Sequence, residues 1–270
     1  MAQHRLSGGV LLAAAGVAAA ALGSATSANA TCASISGISA GSSGGSTCSS
    51  TATSFAIGIG DFTHAQAVGQ FTGAIAVGNN NTATAETFAS SFGTFSLAYA
   101  NGQHGDALAQ GTMALAFAQG DSLQARAGRT KDDIGNVAIN VAQGETFFGN
   151  NIADASGTGN LAVNLGGTVD PVTKRINIVQ AYGLGNTAFN IGGKGNWVSA
   201  GNSRLAGAVN ESGIPQGTTS TAGSAFNIGG SNNTVSALGP FAIAGAIGKD
   251  GLNGPNRIVQ FSPGININNL

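Results

Sequence analysis

Between Ser54 and Gly245 one short phrase is written nine times: a small residue, a large apolar residue, a small or amide residue, a second apolar residue, then usually glycine. It reads Ala56-Ile57-Gly58-Ile59-Gly60, Ala74-Ile75-Ala76-Val77-Gly78, Ser96-Leu97-Ala98-Tyr99-Ala100 and Ala114-Leu115-Ala116-Phe117-Ala118 in the first half. Ala138-Ile139-Asn140-Val141, Ala162-Val163-Asn164-Leu165-Gly166, Ala188-Phe189-Asn190-Ile191-Gly192 and Ala225-Phe226-Asn227-Ile228-Gly229 follow, and Ala242-Ile243-Ala244-Gly245 closes the series. Self-similarity at a spacing of about 17 to 37 residues marks a stacked array, in which each unit buries its apolar side only against its neighbours.

The apolar residues of each phrase stand two apart, which is the period of a strand. Glycine at nearly every unit boundary excludes helix as the main state, at a cost of about 1 kcal/mol each in a helix interior. A weaker phrase falls between the strong ones, as in Ala65-Gln66-Ala67-Val68-Gly69, Ala107-Leu108-Ala109-Gln110-Gly111, Ala125-Arg126-Ala127-Gly128 and Ala153-Asp154-Ala155-Ser156-Gly157. Two short strands per period, joined by Gly/Asn turns, predict an all-β chain folded as a flattened parallel β-solenoid. In this reading alanine lines the inner wall, and Ile, Val, Leu and Phe fill the gap between the walls. Tyr99, placed with Ile59, Val77 and Phe117, then points inward. Asn140, Asn164, Asn190 and Asn227 recur at one place, where they either stack as an amide ladder or serve as turn and exposed strand residues.

The first thirty residues have the three parts of a secretory signal: His4 and Arg5, an uncharged run from Val10 to Leu22, and the small-x-small site Ala28-Asn29-Ala30. Cleavage is expected after Ala30, since the apolar run is about half the ~20 residues of a membrane span. Cys32 lies just beyond, but Thr31 before it departs from the small-residue pattern of a lipoprotein signal. In an exported chain the lone pair Cys32 and Cys48 is most simply a disulfide. The stretch 31–53 is read as a flexible Ser/Thr/Gly-rich segment clipped by that bridge, 54–248 as the solenoid, and 249–270, with Pro255 and Pro263, as a cap that blunts the last edge.

Charged residues make up 8% of the chain, against about 25% in an ordinary globular protein. Losing Arg5 from ten basic residues leaves nine against eleven acidic ones, close to −2. No basic face exists to recruit nucleic acid or anionic lipid. His64 and His104 lie in adjacent weak phrases and read as exposed turn residues rather than a metal pair. Asp61, Asp106 and Asp121 sit beside glycines without completing a calcium nonapeptide, so turn formation accounts for them. Gly183-Leu184-Gly185-Asn186-Thr187-Ala188 matches a dinucleotide glycine fingerprint, yet a strand phrase follows it where a helix is required. No cofactor or metal is expected.

Three interruptions stand out: 126–133, 168–175 and 205–224, the usual place for binding loops on a solenoid. Asp132 and Asp133, with Arg129 and Lys131, form the one dense charge cluster. It reads as solvated loop charge, and an acid-base pair for glycan cleavage would have to be built there. Trp197 replaces Thr234 of the sister repeat and is the aromatic residue best placed to stack on a sugar.

The phrases Ser54 to Gly58, Gly73 to Gly78 and Ala65 to Gly69 resemble the Ala-Ile-Gly and Ser-x-Ala-x-Gly repeats of trimeric autotransporter adhesin heads, over about residues 54–145. That resemblance implies a left-handed parallel β-roll that binds extracellular matrix. Asn190-Ile191-Gly192-Gly193-Lys194-Gly195-Asn196 is similar to the Gly/Asn-rich repeats of mycobacterial surface proteins, which implies a secreted actinobacterial protein. The expectation is a non-catalytic, secreted structural or adhesive module at the bacterial surface. Its expected partners are extracellular matrix, cell-wall glycan or its own copies. The alternative is a glycan-active or glycan-binding β-helix protein using the loop around Asp132 and Asp133.

Overall fold

The computed structural model describes residues 31–41, 44–60, 62–78, 82–86, 94–101, 106–120, 123–141, 151–201, 221–248, 250–251 and 256–268. The expected signal segment, His104, Asp61, Asp121 and most of the 205–224 interruption lie outside these residues. The strands are β1 (Thr31–Ile35), β2 (Ile38–Ala40), β3 (Thr47–Ser50), β4 (Phe55–Ile59), β5 (His64–Val68), β6 (Gly73–Val77), β7 (Thr82–Glu86) and β8 (Leu97–Asn101). They continue as β9 (Asp106–Gln110), β10 (Leu115–Gln119), β11 (Leu123–Ala127), β12 (Val137–Val141), β13 (Asn151–Thr158), β14 (Leu161–Leu165) and β15 (Ile178–Leu184). β16 (Thr187–Ile191), β17 (Trp197–Gly201), β18 (Ser224–Ile228), β19 (Asn233–Ala237), β20 (Ala242–Ile247), β21 (Asn256–Gln260) and β22 (Gly264–Asn268) complete them.

From β3 onward, successive strands alternate between two parallel sheets, and each coil contributes one strand to each. The nine strong phrases, β4 to β20 in even numbers, form a twelve-stranded sheet that begins with β2 and β1 and ends with β22. The weak phrases, β3 to β21 in odd numbers, form a ten-stranded sheet. Only β1 and β2 run antiparallel to their neighbours. The fold is a parallel β-solenoid built of the two predicted phrases.

Which side of each strand faces inward differs from the expectation. Alanines 56, 74, 98, 116, 138, 162, 188, 225 and 244 stand opposite one another in unbroken register. All are buried, and with their counterparts in the other sheet they form the hydrophobic core. The large apolar residues alternate with them and therefore point outward, as in β4, where Ala56 and Gly58 are buried while Phe55, Ile57 and Ile59 are half-exposed. The interior admits alanine, glycine and asparagine on this wall; in a two-residue period, filling it with alanine turns every Ile, Val, Leu and Phe to the outside. Tyr99 accordingly points out, and its register partners are Ile75 and Phe117 rather than Ile59 and Val77.

Polar ladders replace bulk in the interior of the second half. Asn164 donates to Asn140 at 2.8 Å, Asn190 to Asn164 at 2.7 Å and Asn227 to Asn190 at 2.8 Å, each from the amide nitrogen to the side-chain oxygen. All four residues are fully buried. At one corner, the backbone amides of Asn160, Asn186 and Gly223 donate to the side-chain oxygens of Asn136, Asn160 and Asn186. At another, those of Asn177, Asn196 and Asn233 bond Asn151, Asn177 and Asn196 in the same way. In the first half hydroxyls take the corner place, with Thr72 donating to Ser54 at 2.9 Å. Each ladder satisfies buried polar groups that would otherwise cost about 1–3 kcal/mol apiece. The corners close tightly: a Cβ on Gly193, which has φ +76°, would stand 1.7 Å from the Gly230 carbonyl oxygen.

The segment 31–53, expected to be flexible, carries β1 to β3, and β3 pairs with β5 as the first rung of its sheet. The disulfide joins Cys32 of β1 to Cys48 of β3, and Cys32 is buried. Its sulfurs occupy the space of an inner side chain: a Cβ on Gly58 would lie 2.8 Å from the Cys32 sulfur and 3.3 Å from that of Cys48. The bridge thus packs inside the first coil. At the other end β21 pairs with β19 and β22 with β20, so residues 256–268 add a further coil to both sheets.

Candidate functional site

The loop after β11 was the sequence's densest charge cluster, and the structure divides its two aspartates. Asp132 is exposed. Asp133 is buried, and its carboxylate accepts the backbone amides of Arg129 and Thr130, the amide of Gly157 at 2.9 Å and the hydroxyl of Ser156 at 3.1 Å. These four donors tie the loop to the corner of the following coil and use both carboxylate oxygens. The pair is therefore not a matched set of solvent-facing carboxylates.

Arg129, from the same loop, turns onto the outer surface of the ten-stranded sheet. Its guanidinium pairs with Asp154, with Nε at 2.9 Å from Oδ2, and its carbon stands 5.3 Å from the centre of the Tyr182 ring. The Tyr182 hydroxyl donates to the same Asp154 oxygen at 2.7 Å. Burial, reinforced by the Asp154 charge, pushes the Tyr182 hydroxyl far above its ordinary range, so it stays a proton donor. Asp154 itself is fully buried. The cluster is a clamp that fastens the loop to two strands. Sequence reading passed over Asp154, although Ala125-Arg126-Ala127 and Ala153-Asp154-Ala155 place opposite charges at one position of the weak phrase and pair in register. Arg126 donates instead to Gln124 at 3.1 Å. Asp106, in the adjoining strand, has its carboxyl raised by burial, with Arg126 working against that shift.

The interruption at 168–175 is also fastened down. Asp170 accepts the backbone amides of Val172 and Thr173, each at 2.8 Å, and the side-chain amide of Asn232 at 2.6 Å. Arg175 donates to the Asn232 carbonyl at 3.4 Å and the Thr234 hydroxyl at 3.2 Å. Trp197 lies on the outside of β17, half-buried, between its register partners Ile178 and Thr234. It stands on the same sheet as β11, which precedes the loop of Asp132, but three strands along it, in a later turn of the array. His64 is exposed and shares a 2.6 Å hydrogen bond with Thr47.

The feature with the greatest extent is the outside of the twelve-stranded sheet. Its central column runs Ile57, Ile75, Tyr99, Phe117, Ile139, Val163, Phe189 and Phe226, each opposite the next. The flanking columns carry residues such as Phe55, Leu97, Leu115, Leu165, Ile191 and Ile228. Polar residues on these outward positions are Asn101, Gln119, Thr187 and Ser224, and no charged residue stands among the described ones. Where the columns contain glycine, a neighbouring ring closes the gap. A Cβ on Gly73 would fall 2.5 Å from the Phe55 ring, and one on Gly245 would fall 2.2 Å from that of Phe226. Tyr99 and Phe117 stack with centroids 5.1 Å apart.

Beside this face, the corners that lead into β6, β8, β10, β12, β14, β16, β18 and β20 each hold one residue in the left-handed conformation, Ala222 before β18 among them. Glycine serves at 135, 159 and 185, but Phe71, Phe95, Met113 and Phe241 occupy the same place with φ of 54° to 64°. All four are more than half exposed, and Phe71 stacks on Phe95 at 5.3 Å. A bulky residue in this region is held at a cost of about 1–2 kcal/mol. Sequence reading missed this column because it looked for glycine at the corners.

Against protein-family models, curated proteins and solved structures, the chain shows no match.

Proposed function

We propose that this chain is a secreted, non-catalytic repeat protein that works as a structural or adhesive module at the bacterial surface. Its partners are extracellular matrix, cell-wall glycan or its own copies. The observation that carries this reading is the long outward face of the twelve-stranded sheet, uncharged and mostly apolar. Contiguous apolar patches of more than a few hundred Å² mark interaction surfaces. The polar side chains support the same reading, since the buried asparagines serve ladders and Asp133, Asp154 and Asp170 fasten loops. A buried disulfide suits a chain that matures outside the cytoplasm, in keeping with the export signal expected at residues 1–30.

Fractionation of the producing cell, followed by intact mass measurement, tests the proposal. The expected product begins at Thr31, has a mass two hydrogens below that of the reduced chain, and is found in the medium or cell wall. A cytosolic chain that retains residues 1–30 would overturn it. Incubation of the purified protein with cell-wall and matrix polysaccharides tests the non-catalytic part, which turnover abolished by Asp132→Asn would refute.

A further inference from the structure

We infer that the apolar face of the twelve-stranded sheet is the contact between two copies of this chain, packed sheet on sheet about a two-fold axis. The inference rests on the structural-module reading and names the partner of its main surface. Ten parallel strands spaced about 4.8 Å apart, each about 17 Å long, present roughly 800 Å² of projected face. That is the area, about 800 Å² per partner, that a stable protein-protein contact covers.

The chemistry of the face selects the occupant. A peptide added as a strand would use a sheet edge, because the backbone groups of the face already bond within the ladder. A glycan needs donors and acceptors all along its aromatic platforms; here the central column, from Ile75 through Phe117 to Phe189, has the Tyr99 hydroxyl alone, and the flanking columns add Asn101 and Gln119 at one place and Thr187 and Ser224 at another, with apolar residues elsewhere. An anionic bilayer needs basic residues, which the described outward positions lack. A second copy offers the same uncharged surface, levelled by the Phe55 and Phe226 rings over Gly73 and Gly245. Two such sheets interdigitate at about 10 Å separation.

The same contrast between faces sets the symmetry. On the opposite sheet the outward column contains Gln66, Leu108, Arg126, Asp154, Gln180 and Ser199 in register, a largely polar series. A chain with one apolar face closes on itself as an isologous pair, whereas a ring requires two complementary surfaces.

Sedimentation equilibrium of the full disulfide-bonded chain tests the inference, with hydroxyl-radical modification of side chains as a second readout. The expected mass is two chains at micromolar concentration, and modification of Tyr99 and Phe117 falls as concentration rises while that of Phe241 at the corner stays constant. Ile139→Lys at the centre of the face weakens self-association by about 100-fold or more. Leu108→Lys on the opposite face leaves the mass at two chains. Circular dichroism establishes that both variants keep the strand spectrum; should Ile139→Lys not fold, the concentration dependence of Tyr99 modification in the unaltered chain decides. A single-chain mass at 100-fold higher concentration, an open-ended series of masses, or flotation of single chains with phosphatidylglycerol vesicles would each overturn the pairing. None of these results bears on cell fractionation, so the surface-module proposal stands or falls separately.

Discussion

The side-chain amide of Asn190 donates to Asn164 at 2.7 Å, while its oxygen accepts from Asn227 at 2.8 Å. Each member of the ladder thus serves as donor on one side and acceptor on the other. Asn190→Ala leaves the Asn164 oxygen and the Asn227 amide without that partner inside the solenoid. Two orphaned groups at about 1–3 kcal/mol each place the loss near 3 kcal/mol. A second change, Asn227→Ala, costs less in the Asn190→Ala background than alone, because its partner is already gone. Urea denaturation of the four chains of this cycle measures the coupling, and strict additivity would refute the ladder.

Ala116 and Phe117 are adjacent but lie on opposite sides of β10, the first fully buried and the second half-exposed. Enlarging the buried one, Ala116→Leu, forces three additional carbon atoms toward the facing wall and is expected to destabilise by about 3 kcal/mol. Phe117→Leu trims the outer face and costs about 1 kcal/mol or less in the dilute single chain. Thermal unfolding of the two variants tests the orientation, and the reverse order of stabilities would show that the large residues do face inward.

Met113 is 60% exposed with φ +56°, at the corner position that glycine fills at 135, 159 and 185. Met113→Gly removes the left-handed strain, about 1–2 kcal/mol, against the larger entropy of an unfolded glycine, about 0.5–1 kcal/mol. The variant is therefore expected to be as stable as the parent or more stable by up to about 1 kcal/mol, as read from its denaturation midpoint. A loss above 1 kcal/mol would mean that Met113 is held by packing rather than against local strain.

Period and phrase were enough to predict two strands per coil, parallel stacking and the asparagine register. They misled on the inside and outside of each strand: the large residues, Tyr99 among them, were expected to fill the interior beside the alanines, although a two-residue period turns only one of the two sets inward. The unbroken column settles the matter physically: alanine continues from Ala56 to Ala244 without interruption, whereas the large-residue columns contain Gly73 and Gly245, which would leave voids if they faced the core. The two-residue offset at Tyr99 has the same origin, since Ser96 imitates the first alanine of the phrase but stands at the corner, and Ala98 pairs with Ala74. The Arg129, Asp154 and Tyr182 clamp joins residues 25 and 28 positions apart. It was hidden because the loop's charges were read with one another rather than against the next coil. Trp197 and Asp132 share no site because they belong to separate turns of the array.

Acid should loosen the strap formed by residues 168–175. Asp170 has its carboxyl held below the usual carboxylate range, first by the Thr173 amide and then by the Asn232 side chain and the Val172 amide, with burial opposing them. A pKa lower in the folded chain than in the unfolded one means that the ionised form is favoured by folding. The stabilisation is complete above the unfolded value near 3.8 and is lost as pH falls through the lower folded value. Trp197, the only tryptophan of the chain, reports the change, since its register partner Thr234 receives Arg175 from the strap. A shift in tryptophan emission is therefore expected below about pH 4, the ordinary range of an aspartate carboxyl. Asp170→Asn removes the titrating group while keeping an acceptor for the Val172 and Thr173 amides, so its emission should be flat across the window where the parent changes. Coincident acid profiles for the two chains would show that the strap is held by its other contacts and that the Asp170 charge plays no part.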